Sequence, residues 1–460
     1  MPEFLQTEGV DAVLDNLTKR ARVTAVTTSP YVMAPADEKT GSREPPIDAG
    51  AGSVRLLDRP ILDKRELFIQ TAPSFTPNVR LYEGLQYRPA APTQLTKEHG
   101  AVVGQFIQAA HARGLKVYLQ IQAAIPPGYR VQFGGASAED QPLLPDGSVP
   151  SKRLANNGTL ASTEMLKYTQ ALIRDLCIAY PQIDGIRLDW PEYPPYFLSA
   201  AYLDYSAPAR KAADRMGFNF ARMQKAAAQR WKQLHGQLTN RELEKWCAGK
   251  LGNAGLLSAL FDSPDLKESL RFKSALVSEF LAGCRTALHR EGGPHKVLIP
   301  NAFPPPFSTI SGMDFQKAAP QSDAFNVKLY TMHWPMILRF YADELMAANS
   351  GLDDRLLVQG LNRILDLAEP GTMKTLADCR YPEPNEPHPV SLAAQKRKIV
   401  AAQKIAGKVP VYALAHGYGP VDDFAARFQA AYEASGGRVW VNRYGYLSDA
   451  KLDRMGKISR

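Results

Sequence analysis

The sequence predicts an α/β protein of the (β/α)8 TIM-barrel type, and three observations carry that expectation. Eight short apolar runs recur along the chain and alternate with stretches of helical periodicity. The runs are apolar almost throughout, as strands covered on both faces are, rather than alternating between apolar and polar. No G-x-G-x-x-G loop follows the first run, where an open dinucleotide-binding sheet would carry one.

Strand one is expected at residues 23–28 and strand two at 67–71. Strand three falls at 116–121, after a helix over 96–113 that sets Val102, Val103, Phe106, Ile107 and Ala110 on one face and stops at Gly114. Strand four is 183–189. The helix before it is capped by Ser162, has Glu164 in its first turn, and repeats Leu166, Leu172, Ile173 and Leu176 at helical spacing. Strands five to eight follow at 296–300, 324–331, 410–414 and 438–442. A barrel needs only about 250 residues, and this chain has 460. The whole of 1–460 is read as one barrel domain, its excess length lying in a helical insertion over about 198–292 and an extended connection over about 335–408.

Composition excludes several classes. With 45% hydrophobic and 22% charged residues the chain has the make-up of a globular protein rather than a disordered or fibrous one. It lacks an apolar run of the roughly 18 residues that a spanning helix requires, so no membrane association is expected. Its start, MPEFLQTEGVDAVLDNL, lacks the basic-then-apolar layout of a secretory leader, and the expected compartment is the cytoplasm. The net charge of +9 is spread among acidic residues without a basic run, so nucleic acid is not an expected partner. The four cysteines are far apart, and Cys177 and Cys284 sit in apolar helical patterns, as buried free thiols do. No H-x-H or H-E-x-x-H occurs, and neither a metal nor an organic cofactor is expected.

Reacting groups in such barrels sit on the loops after the strands. Here those loops, at 29–60, 72–95 and 122–161, exceed the roughly 12–15 residues beyond which a loop calls for a functional reason. The most informative strand end is IDGIRLDWPEYPPYF, residues 183–197. Alternation puts Arg187 and Asp189 on one face and Ile186 and Leu188 on the other. A guanidinium beside a carboxylate favours the ionised form. An ionised carboxylate is what a glycosidase uses as nucleophile or to stabilise an oxocarbenium-like transition state.

YPQIDGIRLD resembles the fourth-strand motif of α-amylase-type barrels, in which an arginine precedes the nucleophilic aspartate by two positions. The wider stretch is also similar to bacterial glycosyl-hydrolase-like barrels. The resemblance implies that Asp189 is the nucleophile, Arg187 its orienting partner, and a carbohydrate or glycoside the small-molecule substrate. The sequence departs from that pattern elsewhere. Strand five ends on Asn301 where the amylase-type acid would stand, strand three reads LQIQAAIPPGY, and His416 is followed by Gly417 rather than aspartate. Glu192, three residues past Asp189 in a proline-rich turn, is therefore the candidate acid.

Other polar and aromatic groups fall at the same rim. Gln122 ends strand three, and Trp190 and Tyr193 follow strand four. His333 and Trp334 follow strand six, and His416 and Tyr418 follow strand seven. Arg443 and Tyr444 follow strand eight. Aromatic faces pack on sugar rings while their polar edges remain available. Two other functions suit the same barrel: a metal-assisted sugar isomerase or lyase, and a carbohydrate-binding barrel without catalysis.

Overall fold

The computed structural model describes residues 2–47 and 49–459. Among the described residues, ten strands form two sheets. They are β1 Ala25–Thr28, β2 Tyr31–Ala36, β3 Ser42–Glu44, β4 Leu67–Pro73, β5 Lys116–Gln122, β6 Gly185–Asp189, β7 Val297–Ala302, β8 Phe325–Leu329, β9 Val411–His416 and β10 Val439–Asn442. A parallel seven-stranded sheet runs β1-β5-β6-β7-β8-β9-β10, and its helical crossovers give it the (β/α)-barrel architecture.

Seven of the eight expected barrel strands lie in this sheet; the expected strand two does not. Residues 67–73 instead form the centre of an antiparallel sheet, β2-β4-β3. The physical reason is visible in the residues. Leu67 and Ile69 are buried, Gln70 is exposed, and Phe68 lies between. That period of two suits a strand covered on one face only, which antiparallel sheets allow and buried parallel ones do not.

No ladder joins β1 to β10 among the described residues, so the barrel has a seam there. Neighbouring segments staple across it. The amides of Asp58 and Arg59 donate to the Gly445 carbonyl at 2.9 and 3.0 Å. Lys451 Nζ lies 2.6 Å from Asp58 Oδ2. Arg20 bridges to Asp449 and Asp453 of the helix Asp449–Ile458 at 2.8 and 2.9 Å.

The strand that carries Asp189 is fixed from both sides. Its predecessor, helix Thr163–Ala179, is capped by Ser162, whose Oγ accepts from the Glu164 and Met165 amides. That helix packs on the long helix Pro264–Gly292, where the Leu166 side chain lies against Gly283. At the start of β6 the neighbouring strand comes so close that a Cβ on Gly185 would stand 2.1 Å from the Val297 carbonyl oxygen. Only glycine fits. Residues 207–292 and 334–406 hold a series of helices.

Candidate active site

A cavity of about 700 Å3 occupies the barrel and opens along the seam, its wall containing residues of both edge strands. Ligand sites commonly fall between about 300 and 1,000 Å3. The interior of a closed eight-stranded barrel is normally filled by layers of side chains. Here Lys116 and Tyr118 at one end of β5 and Gln122 at the other all line the same space.

Register explains which side chains meet there. Gln120 and Gln122 on β5 stand beside Arg187 and Asp189 on β6, and Asp189 stands beside Asn301 on β7. Asn326 on β8 pairs with Asn301, and alternation puts Lys328 on the same face two residues later. The result is a polar floor. Asn301 Nδ2 donates to Gln120 Oε1 at 3.1 Å, while its Oδ1 accepts from Asn326 at 2.8 Å and from Arg187 Nη2 at 3.3 Å. Above this network Lys328 Nζ lies 2.8 Å from Asp189 Oδ1. The Trp190 amide donates to the same oxygen at 3.1 Å. Trp190 itself has φ +54°, a left-handed conformation that is strained for a bulky residue and turns the chain immediately after Asp189.

Glu192 is 1% exposed and is not among the lining residues. Its Oε1 accepts from the Phe303 amide at 2.8 Å, and Ser311 Oγ lies 2.5 Å from Oε2. Burial pushes its pKa up to about 7, against the opposing pull of Lys328. The serine hydroxyl also lies 3.1 Å from the Ser308 carbonyl. One hydroxyl proton cannot serve both oxygens. With Glu192 protonated, its O–H donates to Ser311 Oγ and the serine donates to Ser308, so every group is satisfied.

The remaining sequence candidates divide. Gln122, Arg187, Asp189, Trp190, His333, Arg443 and Tyr444 line the cavity. Asn301, Tyr193, Trp334, His416 and Tyr418 stand behind the wall, each 1% exposed or less. Tyr193 Oη donates to Asp204 at 3.1 Å, Tyr418 Oη donates to the Pro382 carbonyl at 2.8 Å, and Trp334 faces the Lys398 ammonium at 5.1 Å. His416 Nδ1 accepts from the Tyr418 amide at 3.1 Å. Tyr444 is partly committed, its Oη donating to Glu8 at 2.7 Å. Tyr196, a further lining residue, contacts His333 Nδ1 at 3.0 Å.

Several lining or adjoining groups escape a reading of strand ends alone. Lys328 is the foremost, and its signal was a lysine inside FNVKLY, a run otherwise fit for burial on both faces. Arg55 and Arg130 come from loops with no motif; Arg130 pairs with the fully buried Glu44 at 2.6 Å, and Glu44 also meets Arg443. Among the described residues no group of three His, Cys, Asp or Glu side chains is arranged to hold a metal ion.

No family model matches the chain, and no curated protein matches it. Among solved structures it is similar to the PgaB (BpsB) glycoside hydrolase domain from Bordetella bronchiseptica. The identity is 13% over 94% of this chain and 93% of that one, with a TM-score of 0.39. A β-galactosidase from the psychrophilic Marinomonas ef1 has 13% identity over 77% of this chain and 47% of its own, with a TM-score of 0.43. The catalytic domain of a β-amylase from Paenibacillus polymyxa has 12% identity over 76% and 82%, with a TM-score of 0.42. Each is a distant likeness, and its substrate is its own.

Proposed function

We propose that the protein is a glycoside hydrolase or transglycosylase in which Asp189 is the nucleophile or the stabiliser of the oxocarbenium-like transition state. The observation that carries the proposal is the one carboxylate among the described residues of a ligand-sized cavity's wall, with an ammonium 2.8 Å from it. Lys328 and the Trp190 amide both engage Oδ1. That leaves Oδ2 to face an anomeric carbon. Aromatic side chains at Trp190, Tyr196 and Tyr330 supply surfaces for sugar rings. The test compares the wild type with Asp189→Asn on aryl α- and β-glycosides and on natural glycosides. Turnover is expected to fall about a hundredfold or more in the variant; equal turnover by both proteins would remove Asp189 from the reaction.

Glu192 is the proton donor in this reading. A carboxyl group raised to about 7 keeps a substantial protonated fraction near neutral pH, as a general acid needs. Glu192→Gln separates that role from a structural one, because an amide keeps both hydrogen bonds but carries no transferable proton. Hydrolysis of glycosides with poor leaving groups should drop about a hundredfold or more, and activated aryl glycosides should suffer less. Undiminished hydrolysis of both would leave Glu192 a structural group.

One observation favours a second reading, a carbohydrate-binding barrel without turnover. Glu192 stands outside the cavity wall with both oxygens engaged. Saturable binding of a saccharide with no product formed, by wild type and Asp189→Asn alike, is the result that reading requires.

A further inference from the structure

The charge of the cavity is lopsided. Among the described residues its lining side chains include Arg22, Lys116, Arg130, Arg187, Arg438 and Arg443, but a single carboxylate, Asp189. Some of this positive charge is answered from behind the wall. Glu44 is shared by Arg130 and Arg443, Glu3 lies 3.7 Å from Arg130, and Lys116 meets Asp184 at 2.8 Å.

At the floor the balance does not close. Two cations, Arg187 and Lys328, stand beside Asp189, and Lys328 takes that carboxylate at 2.8 Å. Arg187 is 2% exposed and has no carboxylate within ion-pair reach among the described residues. Its Nη2 makes one long bond to Asn301 at 3.3 Å, its Nε has no hydrogen-bond partner, and its guanidinium carbon stands 4.3 Å from the Trp440 ring centre. Glu192, raised by burial to about 7, carries only part of a negative charge near neutral pH. A buried cation without an acid is costly to keep. The Nε–Nη edge of a guanidinium is the edge that grips an oxyanion with two hydrogen bonds.

We infer that the cavity takes a saccharide bearing an oxyanion, either the carboxylate of a uronic acid or a sulfate ester, and that Arg187 is the group that receives it. The inference rests on the glycoside reading above and narrows it to acidic glycans. Trp440 stands over the guanidinium and Tyr118 packs edge-on against Trp440, so the acidic sugar is recognised by charge and by ring faces together.

The test uses the wild-type protein and needs no variant for its first arm. Oligosaccharides of galacturonate, glucuronate and mannuronate are compared by calorimetry with the same oligosaccharides after reduction of each carboxyl to an alcohol, and sulfated neutral oligosaccharides form a parallel set. At least one acidic ligand should bind about tenfold or more tighter than its neutral counterpart. The carboxylate and sulfate arms tell which oxyanion is preferred. In a second arm, Arg187→Gln should abolish that preference, read as the ratio of acidic to neutral affinity, and Arg187→Lys should reduce it. Lysine keeps the charge but not the two-pronged edge, so it should restore the preference only in part. Neutral ligands binding as well as acidic ones would overturn the inference and leave the glycoside reading standing. Failure of every saccharide, acidic or neutral, would overturn both.

Discussion

Replacing Lys328 with methionine is expected to destabilise the protein by about 3–5 kcal/mol, because it leaves a buried carboxylate without its cation. Lys328 is 1% exposed and Asp189 is 7% exposed, so water in the cavity replaces the ammonium 2.8 Å away only poorly. Methionine fills similar space and removes the charge alone. The double variant Lys328→Met with Asp189→Asn should recover much of the loss, since the asparagine carries no charge to strand. Denaturant unfolding of the wild type, both single variants and the double variant closes the cycle. Losses that simply add would mean the two side chains do not depend on each other, and the proposed anchoring of Oδ1 would fall with that result.

The second large effect is acid lability. His333, His388 and His416 are all buried, and burial first, then nearby cations such as Arg55 and Arg427, holds each well below the usual value near 6.5. The folded state therefore keeps these imidazoles neutral while the unfolded chain takes up protons. Their contribution to stability is fully present above pH about 6.5 and is lost progressively as the pH falls below it. Each depressed histidine costs about 1.4 kcal/mol per pH unit in that range. Three together amount to about 4 kcal/mol between pH 7.5 and pH 5.5. Glu192 works the other way. Raised to about 7, it binds its proton in the folded state before the unfolded state does, and so gains stability as the pH falls from 7 toward 4.5. It offsets less than half of the histidine loss. Chemical denaturation at pH 7.5 and 5.5 should register a net fall of about 2–3 kcal/mol. A flat profile would mean that the imidazoles are already protonated in the folded protein or reach solvent.

The parallel sheet was legible because its central strands are covered on both faces and read as mostly apolar runs. Residues 67–73 were misplaced for the converse reason: any apolar pentad resembles a barrel strand until its period of two is given weight. Asp189 and Arg187 were accessible through alternation along one strand. What alternation along a strand does not reveal is the stagger between strands, and that stagger decides which groups line the cavity. It carries Lys328, from a strand far along the chain, up to Asp189, while Glu192, only three residues away in sequence, folds back behind the wall onto Ser311. Rim aromatics divided similarly. Tyr193 and Tyr418 spend their hydroxyls on Asp204 and the Pro382 carbonyl, partners 11 and 36 residues away that only the fold brings near.

The seam between β1 and β10 has a consequence for the nascent chain. Each of these strands presents one edge of backbone amides and carbonyls with no ladder partner among the described residues. Such an edge is a template for any extended polypeptide that meets it. In the folded protein, the staples from Asp58 and Arg59 to Gly445 and the salt bridges from Arg20 to Asp449 and Asp453 hold covering segments across the gap. On the ribosome those segments are made at very different times. Residues 20–28 emerge early, while their covers at 445–453 emerge after β10. For most of its synthesis the growing barrel therefore carries a bare edge, and its yield in a cell should depend on chaperones that bind extended segments more than its final stability would suggest.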